Sequence, residues 1–299
     1  MRAHRPPDLS IPPDTVLTIV SGETGDPVRG ATVIVSGRTY STDEAGQLSL
    51  SERVERGSLV DFVAPNFLDR QTLARSADEI RFTLWPKQSH TGLDEQFTLD
   101  IAYTESGSRQ PRRLYRLRPG RPEAFVVPSA QIQADPIAMR TIEDAAQMAT
   151  DVVGGQIAFV VTESPPLGSV TSSLSVDPND PYFQECDCIA FARTRASAWA
   201  ITGGTSVFNS MEWVRTSTTA HELGHLYGLE HSSGSRDLMN PDRDRRRVDR
   251  FSPRETLIMN LMLQRRPGNA YPDNDRDAPA QWRLRGSETS ETRTVRCAS

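Results

Sequence analysis

The stretch His221-Glu222-Leu223-Gly224-His225-Leu226-Tyr227-Gly228-Leu229-Glu230-His231 decides how the second half of this 299-residue chain folds. It has the pattern H-E-x-x-H-x-x-G-x-x-H. On a helix of 3.6 residues per turn, His221 and His225 lie one turn apart on the same face, so both imidazoles reach one metal ion. Gly228 takes a left-handed conformation that ends the helix and brings His231 back as a third ligand. Three protein ligands with an open fourth position are typical of a catalytic zinc.

The residue after the first histidine adds a chemical function to this site. Glu222 is placed to hold a water molecule at the metal and to act as its general base. A zinc that only holds the fold is the alternative, but such a site usually has four protein ligands and favours cysteine. The three cysteines of the chain, Cys186, Cys188 and Cys297, all lie outside this segment. The pattern therefore predicts a catalytic rather than a structural zinc.

A short turn with a methionine follows the motif. Leu238-Met239-Asn240-Pro241 comes soon after His231, and the Met239 thioether is expected to form an apolar floor beneath the imidazoles. The long zinc motif followed by such a Met-turn resembles the signature of the metzincin zinc peptidases, and among them the matrixin-like branch. The resemblance extends over about residues 185–265 and, more weakly, back to residue 96.

This resemblance implies a zinc-dependent endopeptidase that hydrolyses peptide bonds of protein or peptide substrates. The three histidines would hold one Zn²⁺, while Glu222 takes a proton from the attacking water and passes it to the leaving amine. In the family, an extended peptide adds as an extra strand along the upper rim of the cleft. The matching rim residues in this chain are Ile189, Ala190, Phe191 and Ala192.

The first third of the chain predicts a small all-β unit. Short β-rich runs between residues 14 and 87 alternate with turn clusters such as Thr42-Asp43-Glu44-Ala45-Gly46, a spacing typical of a sandwich. The pattern from Asp26 to Gly46 resembles the carboxypeptidase regulatory-like, transthyretin-type β-sandwich. An immunoglobulin-like sandwich is the alternative. This unit contains no cluster of His, Cys or paired carboxylates, so we expect the chemistry to lie elsewhere.

The whole chain is therefore expected to be a multidomain α+β protein, with an all-β sandwich followed by a metzincin-type catalytic domain of mixed sheet and long helices. The expected segments are an N-terminal extension at 1–13, the sandwich at 14–87, a linker at 88–95, the catalytic domain at 96–267 and a C-terminal tail at 268–299. The tail is expected to be disordered or wrapped over the surface.

Within the catalytic domain, hydrophobic period and turn residues predict the individual elements. We expect strands at Gln96–Tyr103, Gln156–Thr162, Cys188–Ala192 and Ala200–Phe208, and a helix at Asp135–Val153. Ser217 or a neighbouring threonine is expected to cap the zinc helix. Ser252, Pro253 and Glu255 form a capping box with proline at the first helical position, which predicts another helix start.

Composition limits the partners. A net charge of −5 argues against nucleic acid or an anionic membrane, and no run approaches the 18 apolar residues of a membrane span. The basic N-terminus lacks a following apolar region, so no signal peptide is visible. The family resemblance nevertheless implies a secreted or periplasmic protein.

Two further features leave alternatives open. An odd number of cysteines excludes full pairing, and either Cys186 or Cys188 is a candidate to bond Cys297, with free thiols as the alternative. Asp273-Asn274-Asp275-Arg276-Asp277 is similar to part of a calcium loop but lacks the distal Glu and the central Gly. The segment is therefore a weak candidate for Ca²⁺ binding.

Two other functions compete with the endopeptidase. One is another zinc amide hydrolase, such as an exopeptidase, which would need a residue that recognises a free terminus; none is visible in the sequence. The other is a non-proteolytic binding or adhesion protein that has kept its zinc site. Glu222 argues against the second, because a merely structural site needs no carboxylate at that position.

Overall fold

The computed structural model of the chain describes residues 10–75, 80–105, 111–185, 188–242, 248–278 and 291–296. The chain divides into two compact units, one made of Met1–His90 with Asn269–Ala278 and the other of Thr91–Gly268 with Pro279–Ser299. Over the described residues it is mixed α/β, with several sheets and five α-helices. None of the helices found in those residues has the length and apolar content to cross a membrane.

The first unit is a sandwich of two sheets. Its described strands are β1 (Val16–Ser21), β2 (Thr32–Val35), β3 (Arg38–Ser41), β4 (Gln47–Ser49), β5 (Leu59–Val63), β6 (Arg70–Leu73) and β7 (Arg81–Leu84). One sheet has the order β4-β1-β7 and the other the order β3-β2-β5-β6. Alternating apolar residues of both sheets, such as Ile19 on β1 and Phe62 on β5, are fully buried in one shared core. The all-β character of this region is as expected.

The segment Asn269–Ala278, predicted to be part of a disordered or surface-wrapped tail, belongs to the first unit. The backbone N–H of Gln71 on β6 donates to the Asp273 carbonyl, and the N–H of Asp275 donates to the Gln71 carbonyl. The Asp275 carboxylate lies 3.4 Å from the buried guanidinium of Arg70. Within this polar segment Asn269, Asp273 and Asp275 are buried, whereas Arg276 and Asp277 are exposed. The Asn269 amide donates to both buried carboxylates, so these polar groups have partners in the interior.

The second unit contains one large mixed sheet. The strands of this unit are β8 (Tyr103–Thr104), β9 (Arg113–Leu114), β10 (Arg116–Leu117), β11 (Glu123–Pro128), β12 (Ala158–Val161), β13 (Val170–Val176), β14 (Ala190–Ser197), β15 (Ala200–Phe208) and β16 (Glu291–Arg296). Among the described strands, β8 and β9 pair only with each other, as a separate two-stranded sheet. The large sheet has the order β12-β11-β13-β15-β14-β16, and β10 also pairs with β15. β14 is antiparallel to both of its neighbours, whereas β12, β11, β13 and β15 run parallel.

The helices of the second unit are α1 (Glu95–Ala102), α2 (Ala130–Gln133), α3 (Pro136–Asp151), α4 (Thr216–Tyr227) and α5 (Pro253–Leu263). The predicted long helix is confirmed as α3, which Asp135 caps through hydrogen bonds from the N–H groups of Ile137 and Ala138. The capping box is confirmed at the start of α5. The strand at Ala200–Phe208 is confirmed as β15. The strand expected at Cys188–Ala192 is shifted to Ala190–Ser197.

The strand predicted at Gln96–Tyr103 is wrong, because these residues form α1. The Asp94 carboxylate caps the helix by accepting the Phe97 N–H at 2.7 Å. Phe97 and Ile101, four residues apart, are both buried on one face. The β-prone residues of this segment therefore pack with helical period once Asp94 fixes the first turn, and tertiary packing outweighs their intrinsic preference.

Candidate metal centre

The helix α4 carries the first half of the zinc motif. It begins at Thr216 after Arg215, which makes no side-chain cap hydrogen bond, so the expected cap at Ser217 or a neighbouring threonine is wrong. Gly228 ends the helix with φ of 108°, in the left-handed region, as expected. A side chain at Gly228 would also collide with the carbonyl oxygen of Tyr115. Glycine is therefore required at this position for two reasons: the left-handed conformation, and the close approach of the Tyr115 backbone.

The turn at Gly228 brings the three histidines of the motif together. Their candidate ligand atoms all lie within 4.8 Å of one another, and in the described parts of the chain no other group of three or more metal-binding side chains is placed in this way. The Nε2 atoms of His221 and His225 are 3.2 Å apart. His221 and His225 are fully buried, whereas His231 is half-buried. The three histidines therefore lie close enough together to reach one ion, and metal binding by them stays a prediction.

Hydrogen bonds made by the Nδ1 atoms determine which nitrogen of each imidazole is available to a metal ion. The Nδ1 of His221 lies 2.7 Å from the Leu238 carbonyl oxygen, and the Nδ1 of His225 lies 2.8 Å from that of Leu229. A carbonyl oxygen only accepts hydrogen bonds, so each Nδ1 carries a proton and each Nε2 of the neutral ring has a free electron pair. Two such lone pairs facing each other repel unless a cation lies between them.

These donors fit a zinc ion. Zinc binds imidazole nitrogen at about 2.0–2.1 Å, and tetrahedral geometry then separates two ligand nitrogens by about 3.3 Å. The observed 3.2 Å between the Nε2 atoms of His221 and His225 matches that separation. Carbonyl acceptors behind metal-binding imidazoles are the usual outer partners, since they fix both the tautomer and the ring orientation.

Glu222 and the Met-turn residue Met239 both lie in the protein interior. Glu222 is fully buried on α4, next in sequence to His221. Met239 is also fully buried, and its thioether contacts Gly224, where a Cβ would collide with the Met239 sulfur. Gly224 occupies the second x position of H-E-x-x-H. A glycine is required there because the Met239 side chain packs against it. This contact was not anticipated from the sequence.

Glu255 is the site residue that sequence reasoning missed. Its capping-box role at the start of α5 was visible, but its carboxylate also accepts the backbone N–H groups of Leu238 at 3.0 Å and Met239 at 2.7 Å. The Leu238 carbonyl is the group that orients His221. Burial raises the pKa of Glu255 and outweighs the lowering effect of the hydrogen bonds from Ser252, Met239 and Leu238. Glu255 thus supports His221, a candidate metal ligand, through the backbone of the turn at Leu238 and Met239.

A second buried carboxylate holds the loop between the third histidine and the Met-turn. Asp237 accepts hydrogen bonds from the hydroxyl groups of Ser232 and Ser252, the latter at 2.8 Å, and from the Arg254 guanidinium at 3.0 Å. Burial acts to raise the pKa of Asp237, but these hydrogen bonds and the Arg254 charge together hold it below its usual value. The carboxylate is therefore ionised at neutral pH and fixes the chain from Ser232 to α5.

The predicted rim residues lie at the start of β14. Ala190, Phe191 and Ala192 are buried, and Phe191 packs against Tyr182 and Phe183 with ring centroids 4.6 and 5.1 Å apart. On the outer side of β14, Phe191 and Ala192 are paired with Arg296 and Val295 of β16. In this structure the chain's own strand thus occupies the edge where a peptide is expected to add. Substrate binding by these residues stays a prediction.

The remaining candidate groups lie apart from the three histidines in sequence. Cys188 is disulfide-bonded, and its partner is one of the two other cysteines, which both lie outside the described residues. In the segment with the predicted calcium ligands, the Asn269 amide donates at 3.0 Å to both the Asp273 and the Asp275 carboxylates. Asp275 also faces Arg70. These carboxylates have protein partners, and calcium binding there stays a prediction.

Comparison of the chain with known protein families and with curated proteins found no match.

Proposed function

We propose that this chain is a zinc-dependent endopeptidase of the metzincin type. The observation that carries the proposal is the cluster of three histidines, with candidate ligand atoms within 4.8 Å of one another, beside the buried carboxylate of Glu222. His221, His225 and His231 would hold the ion. A buried carboxylate next to a three-histidine site is what a metal-assisted hydrolase needs, and a structural site does not.

In the proposed reaction, different residues of the chain have separate roles. When bound, zinc supplies Lewis acidity, which stabilises negative charge on the scissile carbonyl oxygen and makes a water molecule more acidic. Glu222 takes the proton of the attacking water and delivers it to the leaving amine nitrogen. The Leu238 and Leu229 carbonyls keep the imidazoles of His221 and His225 in the correct tautomer. Glu255 on α5 holds the Met-turn in place through the backbone N–H groups of Leu238 and Met239.

Features outside the histidine cluster also support the proposal. The Met239 sulfur packs on Gly224 within the helix that carries two of the ligands, as the Met-turn interpretation requires. A mixed sheet and one long helix, α3, precede the zinc helix, which is the order expected for the upper part of a metzincin catalytic domain. The disulfide at Cys188 supports the proposed location in an oxidising compartment, outside the cell or in the periplasm.

The test compares the parent chain with Glu222→Gln on a peptide library, with cleavage read by mass spectrometry. We expect the variant to keep about one zinc per chain and to lose at least about 100-fold in turnover, the usual size of a lost general base. Glu143→Gln makes the same chemical change at an exposed position of α3 and serves as the control. Equal turnover of parent and Glu222→Gln would contradict the mechanism. If the parent and both variants bind zinc but none of them cleaves a peptide, a non-proteolytic binding protein is favoured.

A further inference from the structure

The outer edge of β14 is occupied by another part of the same chain. β16 pairs with it in antiparallel register from Phe191 opposite Arg296 to Ala196 opposite Glu291. The inner edge of β14 pairs with β15 over the same stretch. Hence neither side of this part of β14 is open to a further strand while β16 is in place.

One side chain of β16 links this strand to the metal-binding segment. Directly opposed residues of an antiparallel pair present their side chains on the same face, so Arg293 shares a face with buried Thr194. The Arg293 guanidinium forms an ion pair with Glu230, the residue before His231. It also lies 5.3 Å from the ring centroid of Tyr115. β16 is therefore attached on the side of β14 where the third histidine is found.

We infer that β16 occupies the position of an extended peptide substrate on β14, so that the segment 291–296 is a built-in competitor for substrate. This inference rests on the proposed function. Backbone hydrogen bonds provide most of the affinity when a strand adds to a sheet edge, so a peptide of another sequence fits the same edge. A tethered strand acts at an effective concentration of the order of millimolar and outcompetes a dilute peptide.

The competing strand can be weakened without touching the metal ligands. In an antiparallel pair, the N–H groups of consecutive residues point to opposite sides of the strand, so one of two adjacent N–H groups faces β14. The double substitution Thr292→Pro with Arg293→Pro removes that N–H, whichever of the two residues carries it. The matched control, Thr292→Ala with Arg293→Ala, removes the same side chains and the ion pair to Glu230 but keeps both N–H groups.

The probe is a fluorescent hexapeptide with the sequence of residues 291–296, Glu-Thr-Arg-Thr-Val-Arg. Its binding is measured by fluorescence anisotropy to the zinc-loaded full-length chain carrying Glu222→Gln, so that cleavage does not interfere. We expect the proline pair to bind the probe at least about tenfold more tightly than the parent, and more tightly than the alanine pair. With Glu222 intact, the unlabelled hexapeptide should inhibit peptide cleavage by the proline pair competitively, and the proline pair should have a lower KM than the parent.

The possible outcomes separate this inference from the proposed function. Equal probe binding by the proline pair and the parent, with zinc content and thermal unfolding unchanged, overturns the inference and leaves the proposed function intact. Selective probe binding that does not inhibit cleavage also overturns it, because the edge then lies away from the substrate. The third outcome is that the proline pair binds the probe selectively but no zinc-loaded protein with Glu222 intact cleaves peptides. That outcome overturns the proposed function and, with it, the competition with substrate.

Discussion

Glu255 offers the sharpest test of how the fold supports the metal centre. Its carboxylate accepts three backbone N–H groups, from Leu238 and Ser252 on one oxygen and from Met239 on the other. In Glu255→Gln, the amide oxygen can replace only one of the two carboxylate oxygens. If it keeps the bonds from Leu238 and Ser252, the amide NH₂ group faces the Met239 N–H, and two donors then oppose each other in a buried place.

The free-energy cost of Glu255→Gln follows from these three hydrogen bonds. A buried N–H left without an acceptor costs about 1–3 kcal/mol, and the two remaining bonds weaken because they lose the assistance of a charge. The upward pKa shift of Glu255 shows that burial penalises its charge, so removal of the charge offsets part of that loss. A net cost of about 1–3 kcal/mol falls on the Met-turn, and it reaches His221 through the Leu238 carbonyl. We therefore expect zinc affinity to fall by about tenfold, the low end for lost outer-shell support.

Zinc affinity is measured by competition with a chromophoric chelator at neutral pH, on the parent, Glu255→Gln and the exposed control Glu143→Gln. Thermal unfolding of the metal-free proteins reports the loss of stability separately. Unchanged affinity in Glu255→Gln, together with a lowered unfolding temperature, would mean that the Met-turn does not position the ligand. Unchanged values in both measurements would refute the reasoning altogether.

Three other perturbations follow from the same geometry. His231→Ala should strongly reduce zinc occupancy by metal analysis, since it removes one of three ligands; full retention would exclude it as a ligand. Gly224→Ala should destabilise the chain by about 1–3 kcal/mol in thermal unfolding, because the new methyl group meets the Met239 sulfur, and an unchanged melting temperature would contradict that contact. Asp237 has a folded pKa below its ordinary 3.8, so its contribution to stability is present above that pH and is lost as the pH falls through the folded value. Asp237→Asn should therefore lower stability at neutral pH and flatten the acid side of the pH–stability profile; an unchanged profile would exclude this role.

The grouping of the three candidate metal ligands was predictable because they lie within eleven consecutive residues, so helical period and one glycine turn are enough to bring them together. The same holds for the capping box at Ser252, where the signal spans four residues. The function of Glu255 at the Met-turn was not predictable, since it depends on how α5 packs against a turn that lies about 16 residues earlier in the chain. Nothing in the local pattern at either position specifies that contact.

The errors in the predicted fold have two physical sources. In α1, residues of high β propensity form a helix because Asp94 caps the first turn and Phe97 and Ile101 are buried together; the cap was the available signal. β16 and Asn269–Ala278 lie in the polar segment that was predicted to be a disordered or surface-wrapped tail. Their partners are distant in sequence, such as Arg70 for Asp275, and a single sequence does not reveal such pairs.

The return of Asn269–Ala278 to the first unit has a consequence for synthesis of the protein. The sandwich is translated first, yet the segment that pairs with Gln71 leaves the ribosome only after residues 91–268 have been made. At about 5–20 residues per second, this delay is roughly 10–35 seconds. Throughout that interval the backbone groups of Gln71 lack the partners they have in the finished protein, and an open strand edge is prone to pair with other chains. We therefore expect nascent chains to depend on a chaperone at this edge until the last part of the chain arrives.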